Sequence, residues 1–381
     1  MKQPSASHCP VSPRSSTKTL PQAVGPLSES TRPLPSPFKA QGDEPPPEQN
    51  KTTPITSRKL ETHSILIWWA ICGLLTRLGL NAIGEYEGKS VFSVLLVQVV
   101  GCLVMGVGLR LKDTLDRIHP LLYLGLTTGY CGSVTTFSTW MIQVFQAFSN
   151  SSGPHRSRFH SFLDGVNQTY ITVAMSIISI QCGIQLGNLI EPSIRSFFEG
   201  PSSSSSSSPD RVASYFIRWT TLLIGPVAWI CTVFIFFYGP HWWRGPVSYS
   251  LLIAPIGTLT RFHLSKLNSL PISTRNGFPI GTFLANLIAT ALLAVFTLLQ
   301  LLPQASRNAE LCGSLQGLKD GFCGCLSTIS TFTVELRKIK PTREAIRYGI
   351  ISWMAGQLVC VLLLGIYIWT RPVLDHCQFP T

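Results

Sequence analysis

Long apolar segments without a charged residue are the feature that most constrains how this chain folds. A helix needs about 20 apolar residues to cross the hydrocarbon core of a bilayer. Five segments reach that length with no Asp, Glu, Lys or Arg: 90–109, 167–190, 219–238, 278–302 and 348–369. Four more are long enough but contain polar or charged residues: 64–80, 119–147, 247–265 and 313–336. Together they predict an all-α integral membrane protein with about nine spans.

The segments outside these spans are polar. Residues 1–62 hold 12 of the 27 prolines and lack the apolar run of a cleaved signal, which predicts a disordered tail. Seven consecutive serines lie within 191–218, which we interpret as a flexible linker before the lone span 219–238. Residues 371–381 form a short C-terminal tail.

An internal repeat organises the spans. The glycine-to-arginine spacing of Gly73 and Arg77 recurs in Gly257 and Arg261. The string GYCGSVTTFSTW at 129–140 aligns with GFCGCLSTISTF at 321–332. We therefore predict two four-helix repeats, the first over 63–190 and the second over 247–370.

The two repeats are predicted to be inverted. Each has an even number of spans, so the single linking span 219–238 reverses the second repeat relative to the first, as in transporters with inverted repeats. Of the Lys and Arg residues near span ends, fifteen fall on one predicted side and seven on the other. The positive-inside rule then predicts a cytoplasmic N-terminus and an extracellular C-terminus. The net charge of +12 reflects this topology, so no nucleic-acid partner is expected.

Both copies of the long motif bring glycines and hydroxyl groups to membrane depth, where lipid offers the backbone no partner. A helix broken there exposes carbonyl oxygens that suit a hard cation. The hydroxyl groups can donate to an anion, and they belong to Thr136, Ser138, Thr139, Thr328, Ser330 and Thr331. The alternative is close helix packing through small residues, but recurrence in both repeats favours a site.

These motifs, with G-x-x-x-R before them on the first helix and G-T-x-x-x-N on the second, resemble the CrcB/FEX fluoride channel family. Over residues 64–370 the chain looks like the eukaryotic fluoride export proteins, in which two such repeats are fused through a linking helix. The resemblance implies a passive, fluoride-selective channel that confers fluoride resistance, in which one chain acts as an internal pseudo-dimer. It also implies a structural sodium ion held by the backbone carbonyls of Gly132, Thr135, Gly324 and Ser327. Outflow clears the cell only at the plasma membrane, where we expect the protein.

The family's two pore phenylalanines fall on Phe137 and Trp140 in the first repeat, and on Ile329 and Phe332 in the second. An aromatic ring has a positive edge that can accept a partly dehydrated anion, whereas isoleucine has none. Because the family's pores draw residues from both repeats, we expect Phe137 and Phe332 to complete one pore. Trp140 and Ile329 would leave the other pore degraded.

Other polar residues follow the same resemblance. The pore asparagine of the second helix is kept as Asn286 but is Gln98 in the first repeat, where the amide is on a longer arm, and this difference also points to one degraded pore. Arg77 and Arg261 are expected to line vestibules or to anchor carbonyl groups. Polar positions beside the pores are expected at Ser176, Ser179, Ser352 and Gln357.

Two competing functions are less favoured. An ion-coupled secondary anion transporter would need an intramembrane carboxylate, whereas Asp320 and Glu335 lie towards segment ends. An enzyme is not expected, because neither the H-E-x-x-H motif nor a P-loop is present. Cys323 and Cys325 form a C-x-C without a second ligand pair, so no zinc site is predicted.

Asn150 and Asn167 fit glycosylation acceptors on the predicted outer side, and neither bears on activity.

Overall fold

The computed structural model describes residues 55–85, 92, 94–150, 157–198, 211–239, 244–306 and 308–370. Within these ranges every regular element is helical. The expectations for residues 1–54, for the serine run at 202–208 and for the tail 371–381 fall outside the described residues.

The first repeat contains six helical segments. They are α1 (Ile55–Gly84), α2 (Val94–Arg110), α3 (Lys112–Ile118), α4 (122–134), α5 (Phe137–Ser149) and α6 (Arg158–Phe198). Helix α1 begins before residue 63 and α6 continues beyond residue 190, so both helices extend past the predicted ends of this repeat.

The linking helix and the second repeat follow. They are α7 (Arg211–Tyr238), α8 (244–265), α9 (Ile280–Gln300), α10 (309–326), α11 (Ile329–Lys338) and α12 (342–370). Short helical turns lie between them at Lys266–Ser269, Pro271–Arg275 and Pro303–Ser306.

Five of the described helices are long and apolar enough to cross a membrane, namely α1, α6, α7, α9 and α12. A sixth span results if α2 and α3, which bend by 75° at their junction, count as one. The remaining predicted spans are α8 and the two interrupted pairs α4/α5 and α10/α11. The protein is therefore a multi-pass membrane protein with an all-helical fold.

Helix packing follows the distribution of small and apolar residues. Helices α2 and α6 approach closely at Gly106 and Gly183, where an added Cβ on either residue would meet the backbone of the other helix. Such contacts through small residues are typical of membrane helices. On α7 the side chains of Leu223, Val227 and Ile230 are exposed, as expected of a surface that faces lipid. The interrupted pairs α4/α5 and α10/α11 lie in the interior and form the site.

Candidate ion-conducting site

Two breaks in helices define the site, one in each repeat. Thr135 and Thr136 are extended between α4 and α5, with ψ of 147° and 122°. Ser327 and Thr328 are extended in the same way between α10 and α11, with ψ of 157° and 134°. The breaks predicted from glycines and hydroxyls at membrane depth therefore occur at equivalent positions.

A buried amide from the second helix of each repeat holds each break. Gln98 accepts a hydrogen bond from the Thr136 N–H at 3.3 Å and donates to the Thr136 carbonyl at 2.7 Å. Asn286 accepts from the Thr328 N–H at 2.8 Å and donates to the Thr328 carbonyl at 3.4 Å. Despite the longer arm of Gln98, the two amides perform the same structural task, because each satisfies both backbone groups of an extended residue that has left the helix.

The hydroxyl groups of the two breaks contact one another across the repeats. Thr135 and Thr328 are 3.0 Å apart at their hydroxyl oxygens, and Thr136 and Ser327 are 3.1 Å apart. These two contacts are reciprocal, since position 135 aligns with 327 and position 136 aligns with 328. All four side chains are buried.

A second reciprocal pair of contacts involves the first turns of α5 and α11. The Ser138 N–H donates to the Ser327 hydroxyl at 3.1 Å, and the Ser330 N–H donates to the Thr135 hydroxyl at 3.1 Å. Each break thus caps the half-helix of the other repeat. Thr139, half-buried, hydrogen-bonds Thr136 within its own repeat at 3.1 Å. Its counterpart Thr331 is half-buried as well.

The two arginines also reach across the repeats. Arg77 donates to the backbone carbonyl of Asp320 on α10. Arg261 donates to the carbonyl of Thr128 on α4 at 2.8 Å and to the carbonyl of Cys325 at 2.9 Å. Asp320 and Thr128 are equivalent positions, so the contacts of Arg77 with Asp320 and of Arg261 with Thr128 are reciprocal too. Cys325 lies in the same repeat as Arg261.

Both guanidinium groups are buried, with 2% of Arg77 and 4% of Arg261 exposed. Within the described residues neither forms an ion pair with a carboxylate. A Cβ added to Gly132 would collide with the guanidinium of Arg261, and one added to Gly324 would collide with that of Arg77. Of the two roles expected for these arginines, the geometry is that of an anchor for carbonyl groups.

Phe137 and Phe332 come together as the aromatic pair at the site. Their ring centroids are 5.4 Å apart and the planes are inclined by 70°, so an edge faces a ring. Trp140 packs edge-to-face on Phe137 at 5.4 Å and donates from its indole N–H to the carbonyl of Gln168 at 3.4 Å. Ile329 is buried in the same core cluster.

A cluster around Glu335 was not singled out from the sequence. The carboxylate of Glu335, near the end of α11, accepts hydrogen bonds from Thr282 at 2.6 Å, from the Tyr348 hydroxyl at 2.8 Å and from Asn268 at 3.3 Å. The ring of Tyr348 also lies 5.3 Å from that of Phe332, so the cluster adjoins the aromatic pair.

Among the described residues of the first repeat, the aligned positions do not form such a cluster. Position 335 aligns with Gln143, which has no charge, and Tyr348 aligns with Tyr170. Tyr348 is fully buried, whereas Tyr170 is 72% exposed on α6. The aligned tyrosines were visible in the sequence, but only the packing of α12 distinguishes them.

Comparison with known proteins identifies the chain. The family model described as "CrcB-like protein, Camphor Resistance (CrcB)" matches two segments, residues 64–184 and 248–366. The protein belongs to the CrcB-like family. The two matched segments coincide with the two repeats described above.

Among named proteins, the chain is similar to Fluoride export protein 1 of Candida albicans, with 32% identity over 80% of this chain and 79% of the relative. It is 29% identical to Fluoride export protein 1 of Neurospora crassa, over 89% of this chain and 74% of the relative. It is also 27% identical to the Fluoride-specific ion channel FluC of Dehalococcoides mccartyi, over 31% of this chain and 86% of the relative. No solved structure matches.

In this CrcB-like protein, the remaining polar positions expected beside the pores lie on α6 and α12. Ser176, Ser179 and Ser352 are buried. Gln357 donates to the carbonyl of Met141 on α5 at 3.1 Å, so it ties α12 to the half-helix that carries Phe137.

The backbone of the CrcB-like breaks has carbonyl groups without their helical donors. In a continuous helix, the N–H groups of Thr136 and Thr328 would bond to the carbonyls of Gly132 and Gly324. Both N–H groups bond to amide side chains instead. The Thr139 N–H donates to the Thr136 hydroxyl at 3.4 Å rather than to the Thr135 carbonyl. Neutral oxygens of this kind are the ligands that hard cations prefer.

Proposed function

We propose that this protein is a fluoride channel through which fluoride leaves the cytoplasm passively, which would confer fluoride resistance. The observation that carries the proposal is the contact between Phe137 and Phe332, which brings the positive edges of two aromatic rings from different repeats to the crossing of two broken helices. The names of the related fluoride export proteins and of the related fluoride-specific channel support the same ion.

The place where the two breaks meet, at Thr135–Thr136 and Ser327–Thr328, is called the crossing below. Its chemistry suits a small, strongly hydrated anion. Fluoride must exchange water for other donors, and the buried hydroxyls of Ser138 and Ser330 together with the aromatic edges offer a series of weak, closely spaced partners. A channel needs binding that is favourable enough for entry and weak enough for exit. This crossing would be a permeation pathway rather than a catalytic site.

We infer that one pore is competent and the other degraded. The Phe137–Phe332 pair continues into Tyr348, whose hydroxyl is 2.8 Å from Glu335. The symmetry-related positions are Ile329 and Trp140, neither of which offers a phenylalanine edge, and the exposed Tyr170. The two sides therefore differ in the groups an anion would meet.

The hydroxyls of Tyr348 and Thr282 are the donors at the end of the competent pore. Both currently donate to Glu335, so an arriving anion would compete with the carboxylate for them.

The proposed topology is nine spans, with two inverted repeats joined by α7, so that one chain acts as an internal pseudo-dimer. Reciprocal contacts support it, because a two-fold relation requires that if residue i meets residue j, then the counterpart of j meets the counterpart of i. We place the N-terminus in the cytoplasm, the C-terminus outside and the protein in the plasma membrane, where an inside-negative potential drives an anion outward by about 2.3 kcal/mol per charge per 100 mV.

We also propose a structural sodium ion at the crossing, held by the carbonyls of Gly132, Thr135, Gly324 and Ser327. When bound, it would supply a positive charge that fixes the two breaks against each other. The carbonyls that lack helical donors favour this assignment, whereas the nearby guanidinium groups of Arg77 and Arg261 oppose it. Sodium should then raise the unfolding temperature of the purified chain relative to N-methylglucamine at equal ionic strength, and equal unfolding temperatures would refute the ion.

Reconstitution tests the channel directly. The full chain in liposomes loaded with potassium fluoride should release fluoride to an electrode when valinomycin sets a potential, and should not release chloride under the same conditions. The alternative is an ion-coupled secondary anion transporter. If release requires a proton or sodium gradient and ignores the potassium potential, the transporter is the correct function and the channel is not.

A further inference from the structure

Two histidines from different repeats face each other at one end of the helix bundle. His63 lies near the start of α1 and His263 near the end of α8, and their Nε2 atoms are 3.2 Å apart. His63 is half-buried and His263 is exposed, so the gap between the rings is accessible from solvent. The pair takes no part in the proposed fluoride pathway.

The separation of these two nitrogens matches that of two ligands on one metal ion. Zinc lies about 2.0–2.1 Å from histidine nitrogen, and at a tetrahedral angle two such ligands are about 3.3 Å apart. The Nε2–Nε2 distance of 3.2 Å, across which the rings share a hydrogen bond, is close to this ligand separation. The rings are 5.3 Å apart at their centroids and tilted by 39°.

The neighbouring Lys266 fixes the proton between the rings. Its ammonium lies 3.3 Å from Nδ1 of His263, and an ammonium can only donate, so Nδ1 accepts. The proton of neutral His263 is then on Nε2 and is shared with Nε2 of His63. For a metal to take this position, that proton must move to Nδ1 of His263, and Lys266 must give up its acceptor there. Lys266 already lies 5.0 Å above the ring of Phe262, which gives the ammonium a second favourable position.

We propose that His63 and His263 form a two-histidine site for a divalent transition-metal ion of the zinc, nickel and copper class. Neutral imidazole is a preferred ligand of these ions. Among the described residues no group of three or more His, Cys, Asp or Glu side chains is placed to hold a metal, so water completes the coordination. Bound metal would join the first helix of one repeat to the first helix of the other.

Calorimetric titration of the purified full-length chain with nickel chloride tests the site. Nickel is preferred as a probe because free cysteines, of which Cys182 and Cys231 are exposed, would compete for zinc and copper. We expect one nickel ion per chain at this site, with affinity reduced at least about tenfold in His63→Ala and in His263→Ala. Lys266→Met should bind nickel more tightly than the parent, because the ammonium no longer competes for His263.

The matched control is His160→Ala, which removes an exposed histidine that hydrogen-bonds Ser157 and has no histidine neighbour in the described part of the chain. It should retain the parent's nickel affinity within about twofold. Unchanged elution volume and unfolding temperature without nickel show that each variant is folded. If folded His63→Ala and His263→Ala bind nickel as tightly as His160→Ala, the site does not exist.

Discussion

The two repeats share one backbone frame but differ in the side chains that complete it. In both, a buried amide clamps an extended threonine, and an arginine crosses to the other repeat. Only the second repeat, however, adds Tyr348 and Glu335 beside the aromatic pair. The frame is constrained in both copies because each break is capped by the other. The lining of one pathway can diverge without loss of that frame.

The largest effect is expected from a substitution that disrupts only the competent pathway. Phe332→Ile removes the ring that packs edge-to-face on Phe137, and fluoride flux through liposomes should fall by up to about tenfold, since an aromatic pair contributes up to about 1.5 kcal/mol beyond burial. The matched substitution Trp140→Ile is assigned to the degraded side but also removes a ring that packs on Phe137, so flux should fall by less than with Phe332→Ile. Loss of flux with Trp140→Ile and normal flux with Phe332→Ile would reverse the assignment of the pathways.

The aligned tyrosines give the next test. Tyr348→Phe keeps the ring on Phe332 but removes the hydroxyl that donates to Glu335, a hydrogen bond that is worth about 0.5–1.5 kcal/mol. Fluoride flux should fall several-fold. Tyr170→Phe, at the exposed equivalent position, should match the parent. Equal flux in both variants would remove the Tyr348 hydroxyl from the pathway.

Stability should be affected equally in the two repeats. Gly132→Ala and Gly324→Ala each direct a methyl group into a buried guanidinium that holds carbonyls of the other repeat. Each should lower the free energy of unfolding in detergent by about 2 kcal/mol, as expected for a disrupted buried network.

Gly79→Ala is the matched control for these two variants. It lies on α1 with no atom within 4 Å of the added methyl, and should be neutral or stabilising by up to about 1 kcal/mol. A large loss in only one of the two test variants would show that the frame is not shared.

The smallest effect is expected from a variant that restores the lost phenylalanines. The double variant Ile329→Phe with Trp140→Phe supplies both rings on the degraded side, which still lacks a buried tyrosine and a carboxylate. Fluoride flux should therefore rise by less than about twofold, the limit for a second identical pore. A triple variant can combine Ile329→Phe and Trp140→Phe with Phe332→Ile. If this variant conducts fluoride as well as the parent, the phenylalanine rings alone define a pore.

Much of the site followed from the sequence, because the repeat aligns its residues position by position. The two breaks and the arginine pair were predicted from the repeated motifs, and the division of the phenylalanines was predicted from the resemblance to the fluoride channel family. The structural equivalence of Gln98 and Asn286 was not predicted. The longer side chain of glutamine suggested that the function of the asparagine is lost in the first repeat, but Gln98 forms the same two hydrogen bonds to the backbone of Thr136 as Asn286 forms to Thr328. Glu335 was assigned to the end of a span, and nothing in its local sequence indicates the three donors that surround it.

The sequence by itself determined that the chain enters a membrane, that it is duplicated and which family its motifs match, because apolar length and repeated spacing are local properties. Only the tertiary structure decided that Phe137 meets Phe332, that Arg77 and Arg261 bind the opposite repeat, and that His63 meets His263. The partners in each of these contacts lie far apart in the chain. No periodicity along the chain encodes such contacts, since they depend on how the two repeats pack against each other.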